Sequence, residues 1–197
     1  MVLGSHLILT AYGFWLPNDP RGSWSDFVGA WKLVRFGRAT RTDERRSLAA
    51  RPHDGRLRLA AKRALKYPPV RFSGAQARAV GRGFATFVQR IGLGVWACSV
   101  LPEHTHLVVA RHSWRVETLA SRLKAESTRR LMRESIHPLR GFPTRTGRMP
   151  KAWARGHWKV FLDSAADIRR AIQYVEGNPA KEGLPPQRWS FVMKYDG

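Results

Sequence analysis

The stretch GVWACSVLPEHTHLVVA, residues 94–110, constrains the fold more than any other part of the chain. Two apolar, β-forming runs flank Leu101-Pro102-Glu103, and the proline cannot continue a strand ladder. The segment therefore predicts two strands turned back on one another as a hairpin-like pair. The second strand is apolar enough for a core, yet it carries His104 and His106. Strand side chains alternate between faces, so both imidazoles point one way while Glu103, Thr105 and Leu107 point the other. Some other element must face two adjacent imidazoles and supply polar groups to them.

The rest of the chain reads around this pair. Residues 5–12, SHLILTAY, form a buried-strand pattern. Residues 13–26 are a structured loop with three turn signals and two tryptophans. From 31 to 72 the composition turns basic and irregular, with a helix pattern in RLRLAAKRALK closed by Tyr67-Pro68-Pro69. Residues 13–72 are read as an insertion. Apolar positions 80, 84, 87, 88 and 91 then predict a helix over 75–91, weakened by two glycines. A helix over 113–134 follows, with Ser113 as its cap and Val116, Leu119, Leu123 and Leu131 as its buried stripe. After a loop at 136–157 come a strand in WKVFLD and a last helix. Ser164 caps that helix, and Gly177-Asn178-Pro179 stops it.

The order β, insertion, α, β, β, α, β, α predicts an α+β fold. It resembles the ferredoxin-like split βαβ plan, an antiparallel sheet with helices on one face. One domain over 1–197 is expected, with an N-terminal insertion at 13–72 and a C-terminal tail at 180–197.

Charge narrows the class of partner. The 197 residues carry a formal net charge of +21, and 27 of the 35 basic residues are arginine. Such a surplus favours a polyanion, most commonly nucleic acid. No apolar span of about 20 residues exists to cross a bilayer. The single cysteine, Cys98, excludes an internal disulfide and a thiolate metal cluster, and its apolar context predicts burial. The N-terminus lacks a secretion pattern, so the expected location is cytoplasmic, associated with the nucleoid.

Tyr174 and Asn178 stand four residues apart on the last helix, hence on one face. With His104 and His106 they supply two imidazoles, an amide oxygen and a phenol. Two histidines and one oxygen ligand suit an open site for a divalent ion such as Mg²⁺, Mn²⁺ or Zn²⁺. The open position would take a phosphate oxygen. A phenol, with a reference pKa of about 10, becomes a useful nucleophile when cationic surroundings stabilise its anion. The constellation points to attack on a phosphodiester.

LPEHTHLVV resembles the His-hydrophobic-His signature of the HUH endonucleases, with Thr105 at the middle position. RAIQYVEGNPAKEGL resembles the tyrosine helix of single-tyrosine transposases, in particular the REP-associated tyrosine transposases. Their helix reads Tyr-x-x-x-Asn-Pro, then a basic residue and Gly-Leu. WARGHWKVFLDSAADIRRAI resembles the approach to that helix. The likeness covers residues 95–111 and 153–184, and loosely 5–12; residues 13–72 match nothing in it. It implies His104, His106 and Asn178 as metal ligands for Mg²⁺ or Mn²⁺ and Tyr174 as nucleophile. The implied reaction breaks single-stranded, often hairpin-containing DNA, leaving a 5′-phosphotyrosine link and a free 3′-OH. The implied protein is a monomer or homodimer acting in DNA transposition and recombination.

Further DNA contacts are expected from Arg122, Arg129 and Arg133, which fall on one side of the 113–134 helix as a phosphate-contacting ridge beside the site. Glu126 lies between them and is placed to pair with Arg122 and Arg129. Trp15, Trp24 and Trp153 are the candidates for stacking on unpaired bases, whereas Trp96 and Trp158 read as core. Two rival readings use the same charge: a domesticated, non-mobile single-stranded DNA- or RNA-binding protein of this fold, and a structural RNA-binding protein.

Overall fold

The computed structural model describes residues 1–44, 48–142 and 144–197, so positions 45–47 and 143 of the two irregular segments lie outside the described residues. The chain divides into two compact units, Met1–Ala11 with Val70–Gly197, and Tyr12–Pro69. In chain order the elements are β1 (Gly4–Thr10), α1 (Trp31–Val34), α2 (Gly55–Arg63), α3 (Gly74–Ile91) and β2 (Val95–Val100). They continue with β3 (His104–Ala110), α4 (Val116–Arg133), β4 (Trp158–Leu162) and α5 (Ala165–Lys181).

The larger unit is α+β. Its four strands form one antiparallel sheet in the order β2-β3-β1-β4. That order is the split βαβ plan, with β3 inserted between β1 and β2. Register fixes which side chains share a face. His6 lies opposite Val108, Ile8 opposite His106 and Thr10 opposite His104, so all six point to one side. α5 covers the apolar part of that side: Ile168, Ala171 and Val175 pack in one cluster with Ala97, Val108 and Leu162.

The reverse side is wholly apolar at its centre, where Leu7, Leu9 and Leu107 are fully buried. Lys159, the register partner of Leu7, bonds to Glu117 of α4, which places α4 on this side with α3 packed along it. Helices on one face are therefore correct for the two crossover helices and incorrect for α5. The histidine side is apolar around Ala97 and Val108, and such a surface needs a cover of its own.

The two glycines of α3 have separate jobs. A Cβ at Gly83 would lie 2.5 Å from Ser127 Cα, so the glycine lets α3 and α4 meet backbone to backbone. A Cβ at Gly81 would run into the Trp189 ring from the C-terminal tail. The same tail shields the outer edge of β2, where the Gln187 amide accepts from Val100 N at 2.8 Å and donates to Val100 O at 2.9 Å. An edge strand whose outward polar groups are engaged at such points is less open to further pairing.

Two helix-end expectations need correction. Ser113 does not cap α4; the N-cap is Arg115, without a side-chain bond. Trp114 N instead donates to His112 Nδ1 at 3.0 Å, and that turn delays the first helical residue. Ser164 does cap α5, accepting from Asp167 N at 3.1 Å. Gly177-Asn178-Pro179 does not stop α5, which runs on to Lys181 with Pro179 inside it. The stop is Gly183, at φ +67°: its N–H bonds Ala180 O, and Leu184 N bonds Pro179 O at 2.8 Å. This pair of bonds is the Schellman ending, which needs a left-handed residue where glycine stands. The extra turn keeps Tyr174, Asn178 and Lys181 on one helix at i, i+4 and i+7.

The smaller unit gathers Leu16, Leu33 and Ala61 with Val28, Phe36, Ala64 and Leu65. Asp19 and Arg21 form a buried two-pronged pair, with both N–O distances 2.8 Å. No described helix of either unit is long and apolar enough to cross a membrane.

Candidate active site

β3 presents His104 and His106 at its start, on the face covered by α5, with ring centroids 4.8 Å apart. The neighbouring β1 adds a third imidazole that the sequence reading missed. His6 Nε2 lies 2.9 Å from His106 Nδ1, a hydrogen bond in which one ring supplies the proton and the other the lone pair. The signal was present in SHLILT: a histidine at a position of β1 that alternation places on the same face as Ile8 and Thr10. It could be paired with His106 only once the β1–β3 register was known.

α5 closes the group from above. The Tyr174 ring centroid is 5.6 Å from that of His106 and 5.9 Å from that of His6, both edge-on. Tyr174 is 44% exposed, so its phenol borders solvent while its ring meets the imidazoles. Lys181, one turn beyond Asn178, places its ammonium 4.6 Å from the centre of the Tyr174 ring. Positive charge on an aromatic face is attracted by the ring quadrupole.

Burial sets the protonation of the imidazoles. It lowers His6 and His104 to about 4. His106 is pushed well below the ordinary histidine value by burial first, then by the other two histidines and Lys181. All three are neutral at physiological pH and keep a lone pair, which a metal ligand requires.

Asn178 continues the buried stripe Ile168, Ala171, Val175 toward the histidine end of the sheet and is itself 5% exposed. Its amide Nδ2 has no hydrogen-bond partner. A buried amide with an orphaned end is unusual and calls for a ligand or a water. Because a half-turn of the amide exchanges its two ends, the orphaned position is open to an oxygen ligand as well as to a donor. Among the described residues no three His, Cys, Asp or Glu side chains converge as a metal-binding group. Asn178, buried and carrying an amide oxygen, fits a third position beside His104 and His106 by chemistry and burial.

The other expected site residues have surroundings of their own. Arg122, Arg129 and Arg133 are exposed on α4, across the sheet from the histidines, so the ridge does not stand beside them. Glu126 takes Arg129 at 2.8 Å and Arg90 at 2.6 Å; its second partner is Arg90 and not Arg122. Trp153 is not a stacking platform. It is 5% exposed, donates its indole N–H to Ser127 Oγ at 3.0 Å and stacks near Phe84 in the core. Trp15 is half-buried, donates to Gly22 O at 2.8 Å and lies under the Arg21 guanidinium at 3.8 Å. Trp24 is exposed. Cys98 is buried, as its context predicts, and burial pushes its thiol up.

No family model matches the chain, and no curated protein does. Among solved structures it is similar to a REP-associated tyrosine transposase bound to a REP hairpin, at 12% identity and a TM-score of 0.46, over 100% of this chain and 95% of that one. It is also similar to a Deinococcus radiodurans R1 protein assigned as a transposase. There the identity is 16% and the TM-score 0.43, over 90% of this chain and 91% of that one.

Proposed function

We propose that the protein is a metal-dependent nuclease of the HUH type that cleaves and rejoins single-stranded DNA, as a transposase does, with Tyr174 as nucleophile. The observation that carries this reading is convergence. One sheet face brings three neutral imidazoles against an α5 face bearing a solvent-bordering tyrosine, a lysine and a buried amide with an orphaned end.

His104, His106 and Asn178 would hold the ion, Mg²⁺ or Mn²⁺. Bound there, the ion would polarise a phosphate oxygen and neutralise charge that builds up on phosphorus. His6 is a positioning residue. If His106 donates from Nδ1 to His6 Nε2, its own Nε2 keeps a lone pair for the ion, and the ring is held in that tautomer. Lys181 brings a cation to the phenol, where an incoming phosphodiester is anionic. Tyr174 Oη then attacks phosphorus and the P–O3′ bond breaks. The phenolic proton leaves to solvent, and the 3′ oxygen takes one up as a hydroxyl. The 5′-phosphate stays on Tyr174, so the 3′-OH of the same or another strand can reverse the step without an external energy source.

The test is incubation of the purified chain with 5′- or 3′-labelled single-stranded oligonucleotides, some with hairpins, with Mn²⁺ or with EDTA. The reading expects cleavage only with the metal, a free 3′-OH on the upstream product, and a downstream product retained on protein. Cleavage that persists in EDTA, or a free 5′-phosphate on every downstream product, would overturn it.

A further inference from the structure

The smaller unit, Tyr12–Pro69, has a surface with a marked chemical bias of its own. Its core takes in Leu33, Val28 and Phe36. Between and beside these, Phe27 is left 68% exposed, Trp31 90% and Val34 also open. In α1 the apolar side chains therefore split: Leu33 turns inward, and Trp31 and Val34 turn to solvent.

Charge in the unit splits too. Each of its carboxylates has a partner. Asp19 holds Arg21, Asp26 and Asp43 meet Arg41, Glu44 meets Arg51, and Asp54 caps α2 by accepting from Leu57 N. Lys32, Arg35 and Arg38 form no ion pair among the described residues; Arg35 lies over the Phe36 ring at 4.8 Å. Two open aromatic rings and three cations without counter-ions thus share residues 27–38.

We infer that this surface binds single-stranded DNA, the rings of Phe27 and Trp31 stacking on unpaired bases while Lys32, Arg35 and Arg38 meet the phosphates. The inference rests on the single-stranded DNA reading above and gives the smaller unit a binding role of its own. Unpaired bases fit because each offers a flat apolar face that a duplex hides within its stack, and because the backbone joining them is anionic. Stacking of this kind is tolerant of sequence.

The experiment uses the full chain carrying Tyr174→Phe, so that binding is read without turnover. Its probes are a fluorescent oligo-dT strand, a duplex of equal length, an abasic strand of equal charge, and anionic phosphatidylglycerol vesicles. Phe27→Ala with Trp31→Ala should weaken oligo-dT binding about 10- to 100-fold and leave abasic-strand binding within about twofold. Trp31→Phe should recover most of the loss. Lys32, Arg35 and Arg38 changed together to Gln should reduce the salt dependence of binding by about 2 in log–log slope. Circular dichroism melts confirm that the exposed substitutions leave the fold intact. If the unaltered surface binds oligo-dT but the ring variant binds it equally well, or loses abasic strand to the same degree, this inference fails alone. Loss confined to the vesicles would overturn it in favour of a membrane surface. Binding no tighter to single strands than to duplex would sink the single-stranded DNA reading itself.

Discussion

Under the proposed function, changing His6 to alanine isolates a contact that orients His106 without itself holding the ion. The bond from His106 Nδ1 to His6 Nε2 is 2.9 Å long and lies on a face sealed by α5. Its loss would leave a buried imidazole nitrogen without a partner, at a cost to stability of about 1–3 kcal/mol. The same loss lets His106 rotate and change tautomer, which for outer-shell partners of metal-bound histidines costs about 10–100-fold in metal affinity. His6→Gln can present an amide oxygen near the position of Nε2, so it should recover most of that affinity. The assay is a Mn²⁺ titration followed by calorimetry or electron paramagnetic resonance, without DNA and so independent of turnover. Equal affinity in His6→Ala and the parent would refute the positioning role. A loss above about 1000-fold would also refute it, since His6 would then be a ligand itself.

Three further outcomes follow from the packing and charge. In metal-free protein, His6 and His104 are neutral when folded and take up a proton on unfolding at any pH between about 4 and 6.5. Stability should therefore hold above pH 6.5 and fall as pH drops toward 4, by about 3 kcal/mol per histidine before coupling is allowed for. Urea melts in EDTA at pH 7.5 and 4.5 measure this, and the fall should be smaller in His6→Phe; a flat profile would contradict the burial argument. Gly83→Ala should destabilise more than Gly81→Ala, because the first meets α4 backbone and the second a tail side chain that can swing out. Thermal melts give the order, with about 1–3 kcal/mol expected for Gly81→Ala, and the reverse order would refute the helix-contact account. Alanine at Arg122, Arg129 and Arg133 together should flatten the log–log salt dependence of single-strand binding by about 1.4 if Arg129 stays with Glu126, and by about 2 if all three meet phosphates. No change would make the ridge a solvated surface only.

The elements of the larger unit were legible because their signals are local. The Leu-Pro-Glu hinge separates β2 from β3, the period of α3 and α4 marks their buried stripes, and Ser164 marks the start of α5. The shared face of His104 and His106 follows from alternation alone. What could not be read needed contacts between distant segments. His6 has no meaning at the site until β1 is registered against β3, 100 residues away. Trp153 sits beside arginines in sequence, and only the packing of Phe84 and Ser127 around it shows that it is core. The run-on of α5 through Pro179 was hidden by a local rule that is usually right. A proline near a helix end costs few bonds, and the Gly183-Leu184 pair beyond it forms a stronger stop.

The central claim is a covalent bond between one tyrosine and a DNA 5′-phosphate, and peptide mass spectrometry tests it directly. The protein is incubated with a single-stranded oligonucleotide and Mn²⁺, denatured, and digested with nuclease and trypsin. The account predicts a nucleotide phosphate on the peptide AIQYVEGNPAK, residues 171–181, which holds Tyr174, and none when Tyr174 is phenylalanine. Cleavage without any adduct, or an adduct on Tyr12, Tyr67 or Tyr195, would contradict it.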